Sequence, residues 1–164
     1  MKILDSGKRT QFYDADGNEM GVRDVQEGKG RCDLLPLDVV AVCLCDPVIS
    51  HIAGFQESGD PNCLINALTT YRSRSHFPNM ATLILEVAIH FEDGAKKYGE
   101  RNWEKGIPVQ RYIDSAIRHY LKWLRGDDDE PHDRAFCWNL MCAIWTCKHK
   151  PELNEYKTGC KTHE

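Results

Sequence analysis

The stretch LEVAIHFEDGAKKYGERNWEKGIPVQRYIDSAIRHYLKWLRGDDDEPHDRAFCWNLM (85–141) contains most of the signals that set the architecture. Its apolar residues recur at the three- and four-residue spacing of helices that bury one face. Those residues are Val87, Ala88 and Phe91, with Leu83 and Ile84 just before the stretch, and then Ile113, Ala116, Ile117, Tyr120, Leu121 and Leu124. The spacing predicts helices over 80–98, 108–125 and about 130–147, with a polar loop over 99–106.

Further helices are predicted on the N-terminal side of this stretch. The apolar run 34–56 reads as helical, and Pro47 should break or kink it. Asp60 followed by Pro61 is typical of an N-cap and a first helical residue, which predicts a helix over 61–72. Without a convincing ladder of strands, the fold class is predicted to be all-α, in the manner of a helical bundle.

Composition divides the chain into a polar N-terminal segment (1–27), one helical domain (28–150) and a charged C-terminal tail (151–164). The N-terminal segment is expected to be mostly irregular, with a weak hairpin signal at Asp16 and Gly17. The tail is expected to be loose.

Charge and hydropathy exclude several classes of partner. The formal net charge of −4 provides no general attraction to nucleic acid, so no specific nucleic-acid partner is expected. No apolar run approaches the ~20 residues that span a bilayer, and the N-terminus lacks an apolar signal-peptide core. We therefore expect a cytoplasmic protein without a membrane partner.

Carboxylates line one side of the predicted 80–98 helix. Glu86, His90, Asp93 and Lys97 share one stripe, whereas Glu92 lies about 120° around the helix from Glu86. The alternative is a solvated face that carries ion pairs between residues four apart.

A second acidic group, Asp129, Glu130 and Asp133, stands where the last long helix is predicted to begin. Acidic residues at a helix N-terminus also cap it and complement its dipole, which is the alternative explanation. If the two acidic helices face each other, their mutual repulsion implies a bound Mg²⁺ or Mn²⁺. His90 and His132 could add imidazole ligands, although a single histidine is more often structural.

Basic residues lie between the two acidic groups. Lysine and arginine form charge-assisted hydrogen bonds with phosphate oxygens, and tryptophan stacks on bases. The candidates for nucleotide binding are Lys96, Lys97, Arg101, Asn102 and Trp103 in and before the loop, Arg118 and Lys122 on the following helix, and Lys29, Arg31 and Asp33 in the segment GKGRCDLLP (28–36). The alternative for the loop is a turn whose Trp103 covers the core.

Three segments, GKGRCDLLP, LEVAIHFEDGAKKYGERNWEKGIP and YIDSAIRHYLKWLRGDDDEPHDRAFCWNLM, resemble the dATP/dGTP diphosphohydrolase family of phages and prophages. That family is similar to the MazG-type all-α nucleoside triphosphate pyrophosphohydrolases. The resemblance covers about 28–150, with 40–80 looking like a subgroup insertion. It implies hydrolysis of dATP or dGTP to the monophosphate and pyrophosphate with Mg²⁺ or Mn²⁺, in phage nucleotide-pool control, by a dimer or tetramer.

MazG-type enzymes carry ExxE on one helix and ExxD on a later one, and only the second is present here, as Glu130-x-x-Asp133. The partner of Glu86 must then be His90, Glu92 or Asp93. The resemblance implies that Glu86, Glu130 and Asp133 hold the metal and that Glu92 or Asp93 activates water. It also implies that Lys96, Lys97 and Arg101 neutralise the triphosphate.

Two other functional classes remain open from the sequence. One is a phage protein that binds a nucleotide or a host factor without turnover. The other is a small nucleic-acid-associated protein whose basic patch combines the 108–125 helix with the 96–105 loop, although the acidic stretch 127–133 beside that patch argues against it.

Overall fold

The computed structural model describes residues 1–25 and 27–158, and this part of the chain forms a small antiparallel sheet followed by six α-helices. The strands are β1 (Lys2–Ser6), β2 (Arg9–Tyr13) and β3 (Glu19–Asp24). The helices are α1 (Leu37–Leu44), α2 (Pro47–Ser58), α3 (Pro61–Arg74), α4 (Met80–Tyr98), α5 (Val109–Arg125) and α6 (His132–His149). The largely helical fold confirms the predicted all-α class.

The N-terminal segment is not mostly irregular, which corrects the expectation from sequence. Its three strands pair in the order β1-β2-β3, with Ile3 opposite Phe12 and Gln11 opposite Val22. The carboxylate of Asp14 accepts two backbone hydrogen bonds that close the turn between β2 and β3. Asp16 and Gly17, which gave the hairpin signal, lie in this turn.

The sheet packs against the loop that precedes α5. A Cβ atom added to Gly21 would stand 2.6 Å from Ile107 Cγ1 and 2.9 Å from the carbonyl oxygen of Gly106, so only glycine allows this approach. The backbone N–H of Gly21 donates to that carbonyl at 2.8 Å. Asn102 completes the joint, because its side chain accepts from the N–H of Val22 and donates to its carbonyl.

Helix boundaries follow the local signals. The predicted break at Pro47 is confirmed: α1 ends before it, and Asp46 caps α2 by accepting from the N–H groups of Val48 and Ile49. The predicted cap of α3 by Asp60 is also confirmed. By contrast, neither Asp129 nor Glu130 caps α6, which begins at His132 after Pro131 without a side-chain cap.

The core is built around α5, which packs against α6, while α2 and α3 close one side. Tyr71, Tyr120 and Phe136 are fully buried with ring centroids 4.9 to 6.1 Å apart. Offset and edge-on aromatic pairs of this kind add to the hydrophobic stabilisation of the rings.

The C-terminal segment is ordered where the structure describes it. Two short 3-10 turns, Pro151–Leu153 and Glu155–Thr158, return the chain to α2. There the buried Asn154 donates to the carbonyl of Gly59 at 2.9 Å, and Tyr156 packs edge-on against Phe55. The expected loose tail is therefore wrong for 151–158, and 159–164 lie outside the described residues. No helix in the described ranges is long and apolar enough to cross a membrane.

Candidate functional site

A cavity of about 860 Å³ lies between the sheet and the helices α4, α5 and α6. Its volume falls within the range of sites for small molecules and cofactors. β3 contributes Arg23 and Asp24, and Lys29 follows from the next loop. The remaining walls include His90, Glu92, Asp93, Lys97 and Tyr98 of α4, Arg101, Asn102 and Trp103 of the loop, Ser115, Arg118, His119 and Lys122 of α5, and Glu130, Trp138 and Asn139.

Most cations in the cavity wall are already paired with carboxylates. Lys97 Nζ lies 2.5 Å from Asp24 Oδ2, and Lys122 Nζ lies 2.9 Å from Asp129 Oδ2. Arg118 is bound to Asp114 and also donates to the carbonyls of Lys29 and Gly30, which fixes the 28–30 loop over α5. These pairs position the wall and reduce the positive charge that it presents.

Arg23, like Lys29 at the rim, has no carboxylate within ion-pair distance among the described residues, and Arg23 is the more buried of the two. It donates instead to neutral acceptors: the carbonyl of Arg111 at 3.1 Å, Ser115 Oγ at 3.3 Å and Asn139 Oδ1 at 2.9 Å. Two aromatic faces also hold it, those of Tyr112 and Trp138. Burial lowers the pKa of Arg23 from its ordinary value, but an arginine so far above neutrality stays charged.

The guanidinium of Arg23 has five N–H donors, of which the three hydrogen bonds leave two for a ligand. Sequence reasoning missed this residue because it lies in the segment expected to be irregular. Its only local signal is a basic residue at an alternating position in a short polar strand, which is too common to be specific.

Two histidines and a carboxylate meet where α5 passes the start of α6. His119 Nδ1 and His132 Nδ1 are 3.0 Å apart. Glu130 Oε1 lies 3.7 Å from the first and 3.6 Å from the second. This is one of two groups in the described ranges whose possible metal-ligand atoms all lie within 4.8 Å of one another. The other group consists of Asp127, Asp129 and His132.

The protonation of this group is set by its neighbours. Burial, and then the adjacent His132 ring, lowers the pKa of His119 to about 3, so its imidazole is neutral at physiological pH. His132 Nε2 lies 2.8 Å from Asp129 Oδ1 and, facing a carboxylate, carries the proton. The Lys122 ammonium, followed by the His132 ring, holds the pKa of Asp129 at about 2, so this carboxylate is ionised.

The residues predicted as metal ligands are thus separated into different places. Asp129 and Glu130 belong to the two histidine groups, whereas Glu86, His90 and Asp133 belong to neither. Glu86 Oε2 lies 3.8 Å from Arg134 Nη1, and Asp133 Oδ2 lies 4.0 Å from His76 Nε2. His90 packs against Trp138, and burial lowers the pKa of its ring.

The residues predicted to be catalytic lie at the cavity but are engaged in ion pairs. Glu92 Oε1 is 2.6 Å from Lys96 Nζ, and Asp93 Oδ1 is 4.0 Å from the same atom. Both carboxylates are well exposed, and Lys97 is bound to Asp24. An exposed ion pair of this kind is weak enough to rearrange when a charged ligand arrives.

The predicted nucleotide-binding residues also divide. The cavity wall contains Lys29, Arg101, Asn102, Trp103, Arg118 and Lys122, but not Arg31, Asp33 or Lys96. Arg31 and Asp33 form a bidentate ion pair: Nε of Arg31 donates to Oδ1 of Asp33 at 2.7 Å, and Nη2 donates to Oδ2 at 2.6 Å. Asn102 is occupied in holding β3, and Trp103 packs edge-on against Phe91 and Trp145.

A cavity whose wall contains several lysines and arginines, beside an imidazole–carboxylate group on a helical scaffold, is the kind of site that suits a polyanionic substrate. The sequence model of the family described as dATP/dGTP diphosphohydrolase, N-terminal, matches residues 68–156, more than half of the chain. The chain therefore belongs to this family, and the resemblance stated from sequence is confirmed. No curated protein and no solved structure matches the chain.

Proposed function

We propose that the protein hydrolyses dATP or dGTP to the monophosphate and pyrophosphate with the help of Mg²⁺ or Mn²⁺. The observation that carries this proposal is the position of two groups in the wall of one cavity: the Arg23 guanidinium, which no described carboxylate pairs, and an imidazole–carboxylate group. The first suits a polyphosphate, and the second suits the cation that accompanies it. Family membership supports the substrate class.

The triphosphate is bound by the cations of the cavity. Arg23 offers two unused N–H donors from the floor, and Lys29 and Arg101 offer charges from the rim. Lys97 takes part by exchanging its exposed pair with Asp24 for a phosphate oxygen. Because these groups come from β3, two loops and α4, they surround the ligand rather than contact one side of it.

The metal-binding residues that fit best are those around His132. Glu130 offers a carboxylate oxygen, and the rings of His119 and His132 offer nitrogen lone pairs, a donor set that suits Mn²⁺ better than Mg²⁺. A bound dication stabilises the charge that develops on phosphate oxygens. Glu86 and Asp133, the other predicted ligands, would have to leave their present neighbours to join this set.

Glu92 or Asp93 orients the attacking water and accepts its proton. Both carboxylates stand in the cavity wall and are exposed, so water reaches them. Attack at the α-phosphorus accounts for release of pyrophosphate. The resemblance to phage and prophage proteins suggests nucleotide-pool control as the role and the host cytoplasm as the place.

The test is incubation of the purified chain with each dNTP and NTP, with Mg²⁺ or Mn²⁺, while monophosphate and pyrophosphate are quantified. We expect equal amounts of both products, from dGTP or dATP before the pyrimidine nucleotides. Glu130→Gln should lower kcat by at least about 100-fold, the scale of losing one charge-stabilising group. Glu152→Gln, an exposed carboxylate in a C-terminal turn, should leave kcat unchanged.

If no nucleotide yields pyrophosphate with either metal ion, the enzyme proposal is wrong. Tight nucleotide binding without turnover would instead support the alternative of a non-catalytic nucleotide-binding protein.

A further inference from the structure

We propose that His119, His132 and Glu130 form a binding centre for a first-row transition-metal dication, and that this centre discriminates against Mg²⁺. Binding at the centre does not depend on the reaction. Its part in the reaction rests on the proposed function.

The first argument is the spacing of the three ligand atoms. The separations of 3.0, 3.7 and 3.6 Å define a triangle whose centre lies about 2.0 Å from each atom. Zinc and its neighbours bind imidazole nitrogen at ~2.0–2.1 Å and carboxylate oxygen at ~2.0–2.2 Å. One ion therefore fits among the three atoms with almost no movement of the side chains.

The second argument is the neighbour of the other nitrogen of His132. A histidine that binds a metal through one nitrogen usually donates its remaining N–H to a carboxylate, which fixes the tautomer. His132 Nε2 has this partner in Asp129, and Lys122 holds the same carboxylate from its other oxygen. The lone pair of His132 is thereby directed from Nδ1, the atom that faces His119 and Glu130.

The third argument is burial. The side chain of His132 is only 1% exposed and that of His119 only 15% exposed, so both rings are fixed by the packing of α5 against α6. Glu130 is half-exposed and, like His119, lines the cavity. Rigid nitrogen ligands beside one mobile carboxylate leave room for a substrate oxygen or water as a further ligand.

The choice of metal follows from the ligand chemistry. Mg²⁺ prefers oxygen ligands in a near-ideal octahedron and keeps several waters, so two imidazoles are a poor set for it. Imidazole with carboxylate suits Mn²⁺, Co²⁺, Ni²⁺ and Zn²⁺, and affinity rises from Mn²⁺ through Co²⁺ and Ni²⁺ to Cu²⁺ and falls again at Zn²⁺. Without a metal, the two Nδ1 atoms form a hydrogen bond between the rings, which is the competing explanation of the 3.0 Å contact.

The experiment is a titration of the full chain with Co²⁺ in the absence of nucleotide, followed by visible absorption and by calorimetry. We expect one Co²⁺ per chain, with visible bands of nitrogen and oxygen ligation, and no displacement by a hundredfold excess of Mg²⁺. Glu130→Gln and His119→Gln should each weaken binding by well over tenfold, and His149→Gln, an exposed histidine at the end of α6, should not change it.

The variant Asp129→Asn tests whether the Asp129 carboxylate positions the ring of His132. It should weaken Co²⁺ binding by about 10- to 100-fold while the visible bands persist, because outer-shell partners tune affinity without supplying the ligand. Unchanged thermal unfolding of each variant in metal-free buffer shows that the fold is intact.

The proposal is overturned if the folded wild-type chain binds no Co²⁺, if Mg²⁺ displaces Co²⁺ at equal concentration, or if Glu130→Gln and His119→Gln both bind like wild type. Co²⁺ binding that persists in a chain unable to hydrolyse any nucleotide would contradict the proposed function and leave the metal centre standing.

Discussion

At the residue scale, the distinguishing group is Arg23, a buried cation whose described partners are all neutral. Burying a charge is costly unless another charge or several dipoles offset the lost hydration. Three oxygen acceptors and two aromatic faces make the guanidinium tolerable in the free protein. They do not neutralise it, so a phosphate that enters the cavity meets its full positive charge.

Replacing Arg23 by glutamine should weaken nucleotide binding. A hydrogen bond to a charged group is worth about 1.5–3 kcal/mol, which corresponds to about a 10- to 100-fold rise in Kd for a non-hydrolysable dGTP analogue. Arg23→Lys keeps the charge but loses the planar guanidinium, so its Kd should lie between those of the wild type and Arg23→Gln. Equilibrium dialysis or calorimetry provides the measurement.

The control for Arg23 is Lys8→Gln, which removes an exposed cation from the turn between β1 and β2. Its Kd should equal that of the wild type. If Arg23→Gln also binds the analogue as tightly as the wild type, the guanidinium has only a structural role.

At the scale of elements, Asp46 joins three helices through one carboxylate. It caps α2, accepts from Tyr120 Oη of α5 at 2.8 Å and pairs with Arg74 of α3 at 2.7 Å. Burial by itself would raise the pKa of Asp46, but the hydrogen bonds from the Ile49 N–H, Tyr120 and Arg74 outweigh it and lower the pKa. The folded state therefore favours the ionised form more than the unfolded chain does.

The lowered pKa of Asp46 predicts that the folded protein loses stability in acid. The stabilisation is fully present above the unfolded pKa of 3.8 and is lost as pH falls below it towards the lower folded value. Asp46→Asn should cost about 1–3 kcal/mol of unfolding free energy at pH 7 and flatten the decline of stability below pH 4. Urea unfolding across pH 3–7 measures both.

Asp60→Asn is the matched control, since Asp60 caps α3 from an exposed position and asparagine caps nearly as well. Its unfolding curve should match the wild type within a few tenths of a kcal/mol. Equal losses in the two variants would mean that capping alone, and not the junction of three helices, explains Asp46.

Sequence predicted the helices well because their signals are local. Pro47, the Asp60–Pro61 pair and the apolar spacing of α4 and α5 act within a few residues of the elements they define. The sheet was missed because the residues that hold it are distant in sequence: Asn102 binds Val22 and Gly106 binds Gly21, at separations of 80 and 85 residues. No periodicity in a short polar segment carries that information.

The candidate site was predicted only in part, because some of its contacts also join residues that are distant in sequence. Composition located Asp129 and Glu130, but interpreting Glu130-x-x-Asp133 as a helical ExxD motif assumed that α6 had already begun at Glu130. It begins at His132, so Glu130 lies before the helix and turns towards α5 instead. His119 was not among the predicted ligands, because its approach to His132 depends on how α5 packs against α6.

At the scale of the whole molecule, α4 carries an apolar face that no described element covers. Leu85 is 69% exposed, Ile84 50% and Ile89 42%, and their spacing places them on one side of the helix. Clustered exposed apolar side chains of this size commonly mark an interface. This face is where we expect the dimer or tetramer implied by the family resemblance to form.

Leu85→Glu should shift the protein towards the 18.8 kDa monomer in light scattering after size exclusion. A charge placed in an apolar interface is left without solvent or a partner, which disfavours association. Leu34→Glu, at a residue of similar exposure (68%) before α1, is the matched control and should leave the mass of the assembly unchanged. A wild-type chain that is monomeric at all concentrations tested would contradict the assembly on α4.

The sheet has a consequence for how such a protein can diversify. The family region, 68–156, contains the histidine centre on α5 and α6, whereas Arg23 comes from a strand that precedes this region. In the proposed site, the metal ligands and one of the phosphate-binding cations, Arg23, are thus encoded in separate stretches of the gene. Substitutions within residues 1–25 can therefore change which polyanion is bound, and how tightly, without altering any ligand of the proposed metal centre.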